Sequence, residues 1–504
     1  MKKAKTLGFI IALAAFIGGW QLGTNLNDTP QITSSVGGAS YVGGGQADRV
    51  NTALPERTAA GQTIKVNPGD SIQAAVEIAQ PGDTIQVMPG IYSETVYIDK
   101  DDIHLVGVIE AGERATLDGL GKLNDAILYS GNNILIANFK ITRYKGNGIM
   151  SQAGNNFEIR NNIIIDTGIY GIFPQLGVNG VIEHNIVSGI ADAAIYVGMS
   201  DNIHVAHNEV FDSVAGIEIE NSRHAIVENN YTHNNSGGIL AFITPGLPIK
   251  TTYDVIIRNN FILDNNIPNF AAPGSTVAGI PSGTGILVMA ADDVIIEGNI
   301  LVNHKVAGIL INDHGNAPGL TLDPDVDPNA DRVMILDNVM HNNGYDTIDE
   351  VRAFALTELH TGDIDIFQIG PSEESCIINR HRYNHVGLGD FAECGFTNTH
   401  STQSYLLAGG AKPRVIDPEE RGEIAYMGIC AGCHAYDDVL IGPSIRDIQA
   451  MYAGNVAGIV SYINAPFKVR AEYPEMPAQN YLDGETQLAV ADYLLNIPLE
   501  QSQP

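Results

Sequence analysis

The chain has 504 residues, enough for two or three domains with cores of their own, and its 44% apolar and 17% charged content is that of a folded protein. Fifty-eight acidic against 27 basic residues give a formal charge of −31, which argues against nucleic acid or an anionic membrane surface as a partner. A solvated acidic surface, a cationic partner or calcium is compatible with that charge.

Lys2, Lys3 and Lys5 precede an apolar run from Leu7 to Trp20, the layout of an export signal and too short for a membrane span. No small-x-small cleavage site follows, so residues 1–23 read as a signal peptide or an N-terminal anchor. Residues 24–61, with GGASYVGGGQ in their middle, read as a flexible linker. The expected location is periplasmic or extracellular, of bacterial type.

The stretch TIKVNPGDSIQAAVEIAQPGDTIQVMPGIYSETVYI holds a short helix with Ile72, Ala75, Val76 and Ala79 on one face. Asp70 is its expected N-cap, with Gln73 three residues on, and Pro81-Gly82 ends it. Such a helix suits the open end of a solenoid. A repeat follows. Asparagine recurs at 138, 162, 185, 208, 230, 260, 299 and 338, at intervals of 24, 23, 23, 22, 30, 39 and 39 residues. Apolar runs such as GIYGIF, AGIEIE and GGILAF alternate with runs such as FEIRN and VIEHN. A unit of about 22 residues with short strands and an asparagine at a fixed turn is one rung of a parallel β-helix, with the side-chain amides stacked from rung to rung. The long intervals mark inserts at Thr244–Tyr253, Ile267–Gly283 and His314–Arg332; the first and third leave from one corner and the second from another. Binding on a rigid scaffold concentrates in such loops.

If the solenoid acts on a uronic-acid polymer, it needs a base beside a carboxylate and a group to stabilise the charge that develops. His314, Asp313, His304, His233, Glu218 and Glu220 are the candidates, though Glu218 and Glu220 alternate in one strand and are expected to face solvent. Asp323, Asp325, Asp327 and Asp331 form an acidic run that could take Ca²⁺, but Pro328 stands in the glycine position of a calcium loop and no glutamate closes it. Cys376 and Cys394, eighteen apart in a loop-rich stretch of an exported chain, are expected to pair.

Residues 62–405 resemble the pectin-lyase-like right-handed parallel β-helices, notably bacterial periplasmic ones with a similar N-terminal cap and a β-helix group that occurs alongside c-type cytochromes. The resemblance implies the fold and leaves activity open, because the scaffold hosts lyases, epimerases, hydrolases and non-enzymes.

A linker over 406–414 leads to a helical region, 415–504, containing GICAGCHAYDD. Cys430, Cys433 and His434 have the spacing of covalent haem c attachment. A zinc site wants a second ligand pair, and a thioredoxin-like dithiol wants a βαβ setting; neither is present in this stretch. Gly422, Tyr426 and Cys430 are spaced to share a face of one helix, and Val490 and Tyr493 lie on another that could cross it at the glycine. Met476, in a loop 42 residues after His434, offers a thioether as sixth iron ligand; Met427 and Met451 read as core. Over about residues 415–498 the chain resembles a class I cytochrome c. The resemblance implies Cys430 and Cys433 as thioether links, His434 as proximal and Met476 as distal ligand. It also implies the Pro443 carbonyl as acceptor from the other His434 nitrogen, and Lys468, Arg470 and Tyr473 near the haem propionates. The implied function is electron transfer through one His/Met-ligated haem. The partner would be a redox protein, with a basic surface suiting the acidic chain. The alternative is a uronan lyase or epimerase-like enzyme that binds polysaccharide and carries an accessory haem domain.

Overall fold

The computed structural model describes residues 61–497 apart from 318, 319, 321, 438, 471, 472, 474 and 475. The expected signal or anchor (1–23) and nearly all of the 24–61 linker lie outside the described residues. Among those described, no helix is long and apolar enough to cross a membrane. From Thr63 to Glu393 the chain winds as a parallel β-helix of three sheets with 13, 11 and 11 strands. The first sheet runs from Thr63–Val66 to Ala392–Glu393, the second from Gly90–Tyr92 to Val339–His341, and the third from Val96–Ile98 to His385–Val386. Inward-facing residues stack in columns: Ile136, Ile159, Ile182, Val205, Val227, Ile257, Ile296 and Ile335 pair in turn on the first sheet, and all are buried. Branched side chains fit strands of a parallel sheet covered on both faces.

The asparagines stack as the spacing predicts. The backbone and side-chain N–H groups of Asn208 both donate to Asn230 Oδ1 at 3.0 Å, and Asn208 Nδ2 also donates to Ile182 O at 3.0 Å. The same pattern links Asn162, Asn185, Asn260, Asn299 and Asn338. Asn138 does not belong to this column. It sits one residue early, at φ +72°, where Asn161 Nδ2 donates to it at 2.7 Å, and Phe139 N–H is the group that reaches Asn162 Oδ1. The interval of 24 thus conceals a repeat of 23. A second buried column, Asn235–Asn265–His304–Asn343, runs between the second and third sheets. Its periodicity was hidden because Ser213 and a histidine occupy asparagine positions.

The capping helix α1 is Ile72–Ile78, shorter than expected, and its N-cap is Ser71, not Asp70. Ser71 Oγ accepts from Ala74 N, while Glu94 takes the N–H groups of Ile72 and Gln73 at 2.8 and 3.0 Å. Gln73 is not part of a capping box: its Oε1 accepts from Tyr97 N. Lys100 Nζ bonds the carbonyls of Val76, Glu77 and Ala79 at the other end. A carboxylate at the N-terminus and an ammonium at the C-terminus both complement the helix dipole.

The inserts leave from the predicted corners: two join the third sheet to the first, and Ile267–Gly283 joins the second to the third. Past helix α2 (Asp349–Thr357), Cys376 and Cys394 form a disulfide. The expected linker over 406–414, together with the residues just before it, is laid on the solenoid and runs back toward its start. Arg258 donates to the Thr399 and Thr402 carbonyls, Tyr405 OH to Asp254, and Leu407 N to Asn179. Ala411 exchanges two hydrogen bonds with Asn156, and Arg414 N donates to Asn132. This strap carries the chain to helices α3 (Arg421–Ala425), α4 (Ile445–Met451), α5 (Val456–Asn464) and α6 (Gly484–Asn496). Solenoid and helices belong to one compact unit.

Candidate functional site

The helices build their own core from Ala425, Tyr426, Ile445, Ile459, Val490 and Leu494. At Gly422 an added Cβ would lie 2.4 Å from Ala489 O and 2.9 Å from Tyr493 Cβ, so α3 and α6 cross where the sequence places a glycine. Tyr426 and Tyr493 meet with ring centroids 5.7 Å apart. α3 does not run on to Cys430 as an α-helix: Tyr426–Cys430 is a single π-helical turn, a form common at functional positions. It turns Gln175 Nε2 onto the Met427 carbonyl at 3.0 Å. Gln152 Nε2 reaches Tyr481 OH at 3.2 Å, and Leu440, Ile424 and Met427 pack on Ala153, Leu176, Met199 and Leu247 of the solenoid.

Between the helices and the solenoid lies a cavity of about 700 Å³, within the range of small-molecule and cofactor sites. Cys430, Cys433, His434, Pro443 and Met476, the five cofactor-binding residues expected from sequence, all line it, as do Lys468, Arg470 and Tyr473. Met451 also lines it and is half-exposed, not the core residue expected. Cys430 and Cys433 are free thiols whose burial pushes them up to about 12. With nothing bound beside them, both thiols are protonated at ordinary pH. His434 Nδ1 donates to the Pro443 carbonyl at 2.8 Å, and burial holds the imidazole below its ordinary range. A neutral ring with Nδ1 protonated leaves the Nε2 lone pair for a ligand. Gly442 is required beside it, because a Cβ there would come within 2.3 Å of His434 Cε1. The residues present fit a large apolar cofactor ligated by imidazole and thioether.

Sequence reasoning missed the solenoid's share of this cavity. Thr95, Asp125, Ile169 and Asp192 form its far wall, and Lys122 and Lys145 add two cations from neighbouring rungs. Asp125 is buried and its carboxyl is raised to about 6 by desolvation. These positions are 200 or more residues away in sequence, and they come close only because the strap and the helical region fold back onto the solenoid.

The other candidates are not gathered into one site. His304 is fully buried in the second column, bonded to Asn265 and Asn343. His314 Nε2 donates to the Ile243 carbonyl, and Asp313 accepts from Asn316 N in the adjoining turn. His233 stacks on Tyr231 and Phe211 on the second sheet. Asp323 is held by Lys250 and the Gly246 N–H, and Asp331 by the Glu373 N–H. Among the described residues no group of three or more His, Cys, Asp or Glu side chains is arranged to hold a metal ion. Glu218 and Glu220 do share a face, but that face is not open to solvent: they are only 2% and 7% exposed. The helices and the Ser275–Val277 segment cover them.

No curated protein sequence matches the chain. Among solved structures it is similar to an alginate lyase from Paenibacillus sp. str. FPU-7, with 16% identity over 62% of this chain and 99% of that one and a TM-score of 0.45. It is similar to the A-module of the Azotobacter vinelandii mannuronan C-5 epimerase AlgE6, with 13% identity over 59% and 74% of the two chains and a TM-score of 0.45. For the pectate lyase Pel9A the figures are 12%, 70%, 85% and 0.36. A family model described as the right-handed beta helix region matches residues 63–210 and 205–330, more than half of the chain, and the protein belongs to that family.

Proposed function

We propose that this protein is an exported one-electron carrier that holds a single c-type haem between its C-terminal helices and its solenoid. The observation that carries the reading is that Cys430, Cys433, His434 and Met476 line one cavity of about 700 Å³. When bound, the haem supplies reversible one-electron exchange at iron. The two neutral thiols tether it covalently, so it is not lost outside the cytoplasm. The Pro443 hydrogen bond fixes the His434 ring and its tautomer, and Gly442 makes room for that ring. Met476 contributes a soft thioether, which favours the ferrous state. Lys468 and Arg470 would offset the charge of the propionates and Tyr473 would offer them a hydroxyl donor, while the solenoid would wall one side of the group.

The test is expression with haem-maturation machinery. A covalently coloured protein with reduced c-type bands is expected, and Met476→Ala should keep the covalent colour while losing the oxidised-state band of methionine ligation. A colourless product after maturation would overturn the reading.

A second reading is favoured by one observation. Asp192, Glu218 and Glu220 lie with Tyr170 around a small cavity, and Tyr196 shares a hydrogen bond with Glu220. Carboxylates and phenols of this kind serve as acids and bases in sugar chemistry. On that reading the solenoid is a uronan lyase or epimerase-like enzyme, and the helices, which cover the cluster, must first move away. Release of unsaturated products from alginate or pectate, or a changed uronate composition by NMR, would support it, and neither change in either polymer would count against it.

A further inference from the structure

The three carboxylates under the helices are expensive to bury, and the solenoid's core does not need them. Glu218 and Glu220 project outward from the third-sheet strand Ala215–Glu220, while Ile217 and Ile219 between them fill the core. Together with Asp192 they surround a cavity of about 20 Å³, closed by Ser275 and Val277 on one side and by Gly432 and Leu440 on the other. That volume holds about one water molecule. Glu218 Oε1 and Ser275 Oγ, both buried and both on this cavity, have no hydrogen-bond partner among the described residues. A buried carboxylate oxygen and a buried hydroxyl left in that state point to an occupant, either a water or a proton.

The charged surroundings favour a proton. Among the described residues no lysine, arginine or histidine lines the cavity, and the titratable groups facing it are Asp192, Glu218, Glu220 and Tyr170. Tyr196 bears on Glu220 from the neighbouring strand, and Cys433 bears on Asp192 and Tyr170 from the helices. Three carboxylates without a counter-cation cannot all ionise in one desolvated space. Desolvation and mutual repulsion raise Asp192 and Glu218 well above the carboxylate range, and Glu220, which has Thr244 and Tyr196 as hydrogen-bond partners, less so. Asp192 lines both this cavity and the large one holding Cys433 and His434. Charge placed in the large cavity is therefore felt by the cluster through a single residue.

We infer that the Asp192–Glu218–Glu220 cluster is a proton-binding site coupled to the adjoining cofactor cavity, which makes this a carrier of an electron and a proton together. This rests on the haem reading above. The electron comes from an external one-electron reductant. The proton comes from solvent water and forms one O–H bond on a cluster carboxylate, so the buried charge is unchanged overall. On oxidation both leave.

The test is a spectroelectrochemical titration of the matured full-length protein between about pH 5 and 9. The wild type should show a midpoint potential that falls as pH rises, by up to a tenfold change in the equilibrium per pH unit, or 59 mV for one electron. Glu218→Gln and Glu220→Gln keep shape and hydrogen bonding and should flatten that slope. Asp192→Asn provides a third, independent variant. The reduced-minus-oxidised infrared spectrum should contain a protonated-carboxyl band that the same variants remove. A pH-independent wild type, or a slope unchanged in all three variants, would overturn the inference while leaving the haem reading intact. Absence of covalent haem in the wild type would instead overturn the haem reading.

Discussion

His304 makes a direct test of the second buried column. Its ring is fully buried, with Nδ1 against Asn343 Oδ1 at 2.9 Å and Nε2 against the Asn265 side-chain amide at 3.2 Å. In the neutral form Nδ1 donates and Nε2 accepts. Adding a proton to Nε2 would set a donor against the Asn265 donor in a dry interior, and burial pulls this imidazole from the usual 6.5 to about 4. The unfolded chain therefore binds a proton below pH 6.5 that the folded chain refuses. Stability is fully present above pH 6.5, is lost as pH falls toward 4, and changes no further below that. At about 1.4 kcal/mol per pH unit, the loss is about 3 kcal/mol. His304→Asn places in the column the residue it has at Asn265 and Asn343, and removes the titration. Urea unfolding of both proteins at stepped pH isolates the effect, because the other acids titrate in both. The wild type should lose about 3 kcal/mol more than the variant between pH 7 and 4. A gap between them that is the same at both ends of that range would refute the buried neutral imidazole.

Other substitutions probe the scaffold and the seat of the helices. Asn208→Ala removes four side-chain hydrogen bonds, two donated and two accepted, and should cost about 4 kcal/mol in urea unfolding, with faster amide exchange at Asn185. Arg258→Met leaves the buried Glu228 with only His204 and frees the Thr399 and Thr402 carbonyls. A loss of about 3–5 kcal/mol and new proteolytic cleavage within the strap are expected. Gly442→Ala forces the His434 ring to shift, which should cost about 1–3 kcal/mol and break the Pro443 hydrogen bond, visible in the imidazole ¹⁵N spectrum. Cys376→Ser should lower stability by about 2–4 kcal/mol, matched by adding reductant to the wild type.

The solenoid was legible because its rule is local: a strand, a turn and an asparagine repeat along the chain at nearly fixed distance. The rule failed at Asn138 because that residue fills the left-handed position next to the column, which asparagine also favours. It missed the second column because His304 does an asparagine's hydrogen bonding with a different side chain. In the helical region, short spacing and one loop were enough to expect Cys430, Cys433, His434, Pro443 and Met476 together, and all five line one cavity. Glu218 and Glu220 were misjudged as solvent-facing for the opposite reason. Alternation along a strand tells which residues share a face, but what covers that face depended on a strap whose partners lie 141 to 282 positions away.

That returning strap also sets a timetable. A part of the chain made late docks on rungs made early, and Gln152 and Tyr481, which touch across the join, are 329 positions apart. Such distant partners meet slowly, and the seat does not exist until the rungs carrying Asn132, Asn156 and Asp254 are wound. Until then Cys430 and Cys433 stand open to any enzyme that works on thiols. Once docking is complete they face the cavity against the solenoid, so winding of the coil governs how long that opportunity lasts.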